Sequence, residues 1–135
     1  MIFGKSNKPQ TRIDSLIGAG TTVEGDIIFS GGLRIDGEVK GNVRAKDNKP
    51  AVVVLSENGR VEGEIHVSHV VINGTVEGPV MADDSLELQP GAKVKGDVSY
   101  AQLEIHLGAV VEGRLLHNTQ AKPSEQVELK LASSK

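Results

Sequence analysis

The chain has no cysteine and no tryptophan, and only one tyrosine and two phenylalanines among its 135 residues. Without cysteine there is neither a disulfide framework nor a thiolate metal site. So few aromatics exclude a broad globular core and point to a thin one of Val, Ile and Leu. No apolar stretch is long enough to span a bilayer and no signal segment opens the chain, so a cytosolic protein is expected. Nor does one sign of charge dominate, the formal net charge being −3 at pH 7. Because both ends carry more basic than acidic residues, the middle is more acidic than the whole, which argues against a nucleic-acid surface. There is no phosphate loop, nucleophile motif or dinucleotide fingerprint, so no catalytic or cofactor-binding residue is assigned and no cofactor is expected.

Glycine, by contrast, is abundant at 16 residues, and its placement is regular. A Val-x-Gly motif returns six times: Val23-Glu24-Gly25, Val39-Lys40-Gly41, Val61-Glu62-Gly63, Val76-Glu77-Gly78, Val94-Lys95-Gly96 and Val111-Glu112-Gly113. The glycines are separated by 16, 22, 15, 18 and 17 residues, which is close to one turn of a three-sided β-helix. Two residues after each glycine stands an aliphatic side chain (Ile27, Val43, Ile65, Val80, Val98, Leu115), as alternation along a strand requires. A second strand precedes each later motif, in Leu33-Arg34-Ile35, Val53-Val54-Leu55, Val70-Val71-Ile72, Leu86-Glu87-Leu88 and Leu103-Glu104-Ile105. The prediction is an all-β chain: a single-stranded, three-sided parallel β-helix of about six coils, with the crossover rule favouring the right hand.

Stacked coils place like positions over one another about 4.8 Å apart. The residue between Val and Gly then forms an outward column, Glu24, Lys40, Glu62, Glu77, Lys95, Glu112, with opposite charges adjacent at every step but Glu62 to Glu77. The long spacing of 22 is attributed to a corner loop, Lys46-Asp47-Asn48-Lys49-Pro50. The repeat occupies residues 16–117, and the polar segments 1–15 and 118–135 are expected to be flexible tails.

Other β-helices of this kind are acyltransferases or carbonic anhydrases, and the metal version needs several imidazoles converging on one ion. His66 and His69 differ by an odd number and are expected on opposite sides of an unbroken strand, with His106 and His117 on different faces of later coils. No metal site is therefore assigned. Asp83-Asp84 is read as corner solvation rather than as a carboxylate pair.

The six glycine-marked coils, the short flanking tails and the opening Met1-Ile2-Phe3-Gly4-Lys5 resemble a bactofilin, the likeness covering residues 16–117 and the N-terminal segment. The resemblance implies a bacterial cytoskeletal protein that polymerises without nucleotide into filaments at the inner face of the cytoplasmic membrane. Scaffolding of cell shape, or of cell-wall enzymes or polar proteins, is implied with it. Ile2 and Phe3, supported by Lys5 and Lys8, resemble the membrane-targeting tip of that family. Burying the two apolar side chains contributes at most about 3–6 kcal/mol before ordering costs, and each cation about 1 kcal/mol near an anionic leaflet.

Self-assembly also follows from the solenoid itself, whose ends expose unpaired backbone and a core cut across unless something caps them. Leu16 and Ile17 at one end and Leu115 and Leu116 at the other are the expected polymerisation residues. A tail strand, Val127-Glu128-Leu129-Lys130-Leu131, is the alternative cap. Three functions are thus compared: a self-assembling filament, a hexapeptide-like trimeric enzyme, and a non-polymerising scaffold that recruits partners through its tails.

Overall fold

A computed structural model describes residues 12–118. In chain order its strands are β1 (Ser15–Ile17), β2 (Thr22–Glu24), β3 (Ile27–Phe29), β4 (Gly31–Ile35) and β5 (Glu38–Lys40). They continue as β6 (Val43–Ala45), β7 (Ala51–Leu55), β8 (Arg60–Glu62), β9 (Ile65–Ile72) and β10 (Thr75–Glu77). The last are β11 (Val80–Leu88), β12 (Lys93–Lys95), β13 (Val98–Ile105), β14 (Val110–Glu112) and β15 (Leu115–His117). A nine-stranded sheet and a six-stranded sheet hold them.

Every recorded pairing joins a strand to its counterpart in the next coil, in parallel, so the chain is a β-solenoid. The six-stranded sheet is the Val-x-Gly ladder, running β2, β5, β8, β10, β12, β14. The nine-stranded sheet contains two ladders, because β9, β11 and β13 are each long enough to pair along two stretches. The core is what the alternation predicts. Val39, Val61 and Val76 of the motif column are fully buried, as are Val43, Ile65, Val80 and Val98 two residues beyond the glycines.

The glycines of the motif have a steric cause. A Cβ placed on Gly41, Gly63, Gly78, Gly96 or Gly113 would fall on the carbonyl oxygen of the motif glycine one coil earlier. Each coil can approach its neighbour to hydrogen-bonding distance only where that side chain is missing. Gly63 N–H donates to Glu77 O at 2.9 Å and Gly78 N–H to Lys95 O at 2.9 Å.

The outward charge column has the expected register, including the like-charged step at Glu62 and Glu77. Arg60 resolves that step. Its Nε lies 3.0 Å from Glu62 Oε2 and its Nη2 2.6 Å from Glu77 Oε2. Hydrogen bonds to Glu62 and then Glu77 hold the guanidinium above its ordinary pKa. All three side chains are partly exposed, so the bridge favours the register and adds no more than about 1 kcal/mol.

The Lys46–Pro50 segment departs from the coil as expected, through a 3-10 turn, Lys46–Asn48, in which Asp47 and Asn48 both have φ of 55°. Asp and Asn tolerate that left-handed conformation better than other side chains do. Where the loop rejoins the coil, buried Ser68 repairs the interrupted ladder. Its Oγ donates to Ala51 O and accepts from Ala51 N–H, each at 2.8 Å. Ser68→Ala would leave both backbone groups buried and unpaired and should cost about 1–3 kcal/mol, read as a lower urea midpoint with an unchanged slope.

Ser68 also corrects the histidine expectation. His66 and His69 both point outward, because Val67 and Ser68 are buried in succession at a corner and strand alternation restarts after them. Asp83 and Asp84 are exposed at the matching irregularity in β11, so the corner reading of that pair agrees with the structure.

Side chains one coil apart also tie backbone groups at the corners. Asp14 Oδ2 accepts from Gly32 N–H at 3.0 Å, and Asp97 accepts from the N–H and the Nη2 of Arg114, both at 2.9 Å. The Asp14 carboxyl lies below its ordinary value mainly through the Gly32 bond, Asp36 mainly through Ser56, and Asp97 mainly through the Arg114 guanidinium. A depressed folded pKa means that this stability is complete above the unfolded value of 3.8 and is lost as pH falls through the lower folded values. Thermal unfolding followed below pH 4 should therefore show a falling midpoint, with a shallower fall in Asp97→Asn than in the parent.

Candidate functional site

The large apolar side chains that remain exposed among the described residues all lie in the first and last coils. They are Ile13, Leu16 and Ile28 at one end and Ile105, Leu107, Val110, Leu115 and Leu116 at the other. Leu107, in the turn after β13, is 96% exposed. The inward ladders lose their cover at the same places: Ile17, Val23 and Ile27 are only half-buried, while Leu103 and Val111 lean on the core from the far side.

Register separates the four expected polymerisation residues into two kinds. Ile17 pairs with buried Ile35 and Leu115 with buried Val98, so both continue core ladders to the ends. Leu16 pairs with Arg34 and Leu116 with Ser99, so both lie on the outer face, exposed at 60% and 41%. The alternation that places Leu115 two residues after Gly113 is the signal for this difference. Ile2, Phe3, Lys5 and Lys8, and the Val127–Leu131 strand, lie outside the described residues.

The histidines do not converge on one another. His66 Nε2 lies 3.2 Å from Asp83 Oδ1. His117 Nε2 donates to Ala101 O at 3.0 Å, and its ring lies 5.8 Å from that of Tyr100. His69 Nδ1 is 2.8 Å from Ser85 Oγ, but its Nε2 is 3.6 Å from Asp84 Oδ2. That separation exceeds hydrogen-bond reach, so the three side chains lack the second link by which a carboxylate orients a catalytic imidazole. His106 instead sits between two carboxylates, 3.2 Å from Glu87 Oε2 and 3.1 Å from Glu104 Oε2. Histidine spacing alone does not reveal this mixed cluster. The signal for it was the aligned pair Leu86-Glu87-Leu88 and Leu103-Glu104-Ile105.

Comparison with known proteins agrees with the repeat and the fold. The bactofilin family profile, described as polymer-forming cytoskeletal, matches residues 15–116. Bactofilin BacO of Myxococcus xanthus (strain DK1622) is 30% identical over 102 residues, 76% of this chain and 78% of the relative. Bactofilin BacP of the same organism is 28% identical over 97 residues, 70% of this chain and 40% of the relative. No solved structure matches the chain. With the profile spanning all but the last residue of the solenoid's strands, the chain belongs to the bactofilins, a family of polymer-forming cytoskeletal proteins.

Proposed function

We propose that the chain assembles end to end, without nucleotide, into filaments that lie on the inner face of the cytoplasmic membrane and act as a scaffold for cell shape or for placing cell-wall or polar proteins. The observation that carries this reading is the confinement, among the described residues, of exposed large apolar side chains to the two end coils. A second copy stacked on an end would extend the parallel ladders, pair their free backbone groups and remove the apolar rim from water. Most of these side chains are about half-exposed in the single chain, so each one buried in this way contributes about 1 kcal/mol before the cost of association.

Membrane contact is assigned to Ile2, Phe3, Lys5 and Lys8. Among the described residues no helix is long and apolar enough to cross a bilayer. One such tip binds marginally, whereas a filament presenting many tips binds with the gain of multivalency.

Electron microscopy of the purified chain with and without ATP or GTP is the direct test. Filaments should form equally in all cases, and strict dependence on nucleotide would sink the reading. Deleting residues 1–8 should leave filaments unchanged in solution while abolishing their flotation with anionic liposomes. Equal flotation of the deleted and full-length filaments would remove the assigned role from Ile2 and Phe3.

A further inference from the structure

We propose that Glu87, Glu104 and His106 form a binding site for one borderline divalent transition-metal ion, Zn²⁺ or a close relative, on the outer face of the nine-stranded sheet near the C-terminal end. The three side chains come from adjacent coils. Glu87 lies in β11 and stacks in register on Glu104 of β13, with His106 immediately after the strand.

Among the described residues there are two in-register stacks of glutamates, and the chain treats them differently. Between Glu62 and Glu77 it supplies a permanent cation, the Arg60 guanidinium. Between Glu87 and Glu104 it supplies an imidazole, whose Nε2 has contacts of 3.2 and 3.1 Å to one oxygen of each carboxylate. A neutral imidazole carries one N–H, so a single hydrogen must serve both contacts, or a lone pair must face two anions. A divalent cation among the three atoms satisfies all of them at once.

The dimensions suit such an ion. The three ligand atoms lie within 4.8 Å of one another. Around Zn²⁺ with bonds of roughly 2.0–2.2 Å, tetrahedral neighbours are about 3.4 Å apart, so the two histidine contacts need to open by only a fraction of an ångström. One nitrogen and two carboxylate oxygens suit a borderline metal better than the all-oxygen preference of Ca²⁺ or Mg²⁺. Gln89 Nε2 donates to Glu87 Oε2 at 3.2 Å and so helps to hold that carboxylate in place. Glu104 is 67% exposed, so the remaining coordination position faces water. Joining β11 to β13, the ion would fasten the coil that carries Ile105 and Leu107 to the coil beneath it.

The test is titration of the full-length chain with Co²⁺, whose visible absorption reports tetrahedral coordination. One Co²⁺ per chain should bind, be displaced by Zn²⁺ and be unaffected by excess Mg²⁺. His106→Ala and Glu104→Gln should weaken binding by more than the roughly 10–100-fold typical of losing a group that only orients a ligand. His66→Ala and His117→Ala should bind as the parent does. Glu104 is exposed and its amide is isosteric, so Glu104→Gln remains decisive if His106→Ala fails to fold by circular dichroism. No Co²⁺ band in the parent, or a band of undiminished affinity in Glu104→Gln, would overturn the assignment.

Discussion

Replacing Leu115 by Arg is expected to leave the solenoid folded and to raise the critical concentration for filament growth by about a hundredfold or more. Leu115 continues the ladder of Val80 and Val98 to the final coil, where it is 47% exposed in the single chain. In the monomer an arginine there can turn its guanidinium to water. In a stacked junction it would be enclosed without a partner, at a cost of about 3–5 kcal/mol, and each 1.4 kcal/mol is tenfold in the equilibrium. Leu116→Arg is the matched control, since Leu116 lies beside Ser99 on the outer face and its charge stays solvated. Sedimentation at increasing protein concentration separates the outcomes. Long filaments from Leu115→Arg at the parental critical concentration would show that the C-terminal core ladder is not the junction.

Gly41→Ala should destabilise the monomer by at least about 2 kcal/mol. The cost is steric alone, because Gly41 has no positive φ and its added Cβ would strike the carbonyl of Gly25. Backbone cannot yield there without parting the two coils. Gly18 is the contrasting position, with nothing within 4 Å of its added Cβ and again no positive φ. Gly18→Ala should therefore be neutral, or should gain about 0.4–1 kcal/mol by restricting the unfolded chain. Urea midpoints of the two variants decide it, and equal stability would refute the close-approach account of the repeat.

The close approach is also why the coil was legible in the sequence. A glycine required once per coil writes the period into the chain directly, and the valine two residues before it marks the inward face. The Glu24 to Glu112 column followed from that period without further information, and so did the loop at Lys46–Pro50. What stayed hidden depends on how the long strands of the nine-stranded sheet turn corners. Ser68 interrupts alternation inside β9, which brings His66 and His69 to the same outer side. Arg60 reaches a neighbouring coil diagonally, a contact set by side-chain length rather than by period. His106 meets Glu87 and Glu104 because a turn residue swings back over its own strand, and turn geometry is not encoded in alternation. At the ends, the outer placement of Leu16 and Leu116 could be reached by counting from Gly113 and from Ile35, since both pairs obey the same two-residue rule.

Strict coil-on-coil register also makes the protein a length standard. The Val-x-Gly ladder has six rungs, and at about 4.8 Å per rung one copy spans about 29 Å along the axis. Copies joined end to end would carry their N-terminal segments at a pitch fixed by that span and the order of the ends. Inserting a whole coil into the middle of the ladder would lengthen the pitch by one rung and leave both end surfaces untouched. Spacing along such a polymer is then counted in glycines, and a lineage can retune it in whole steps.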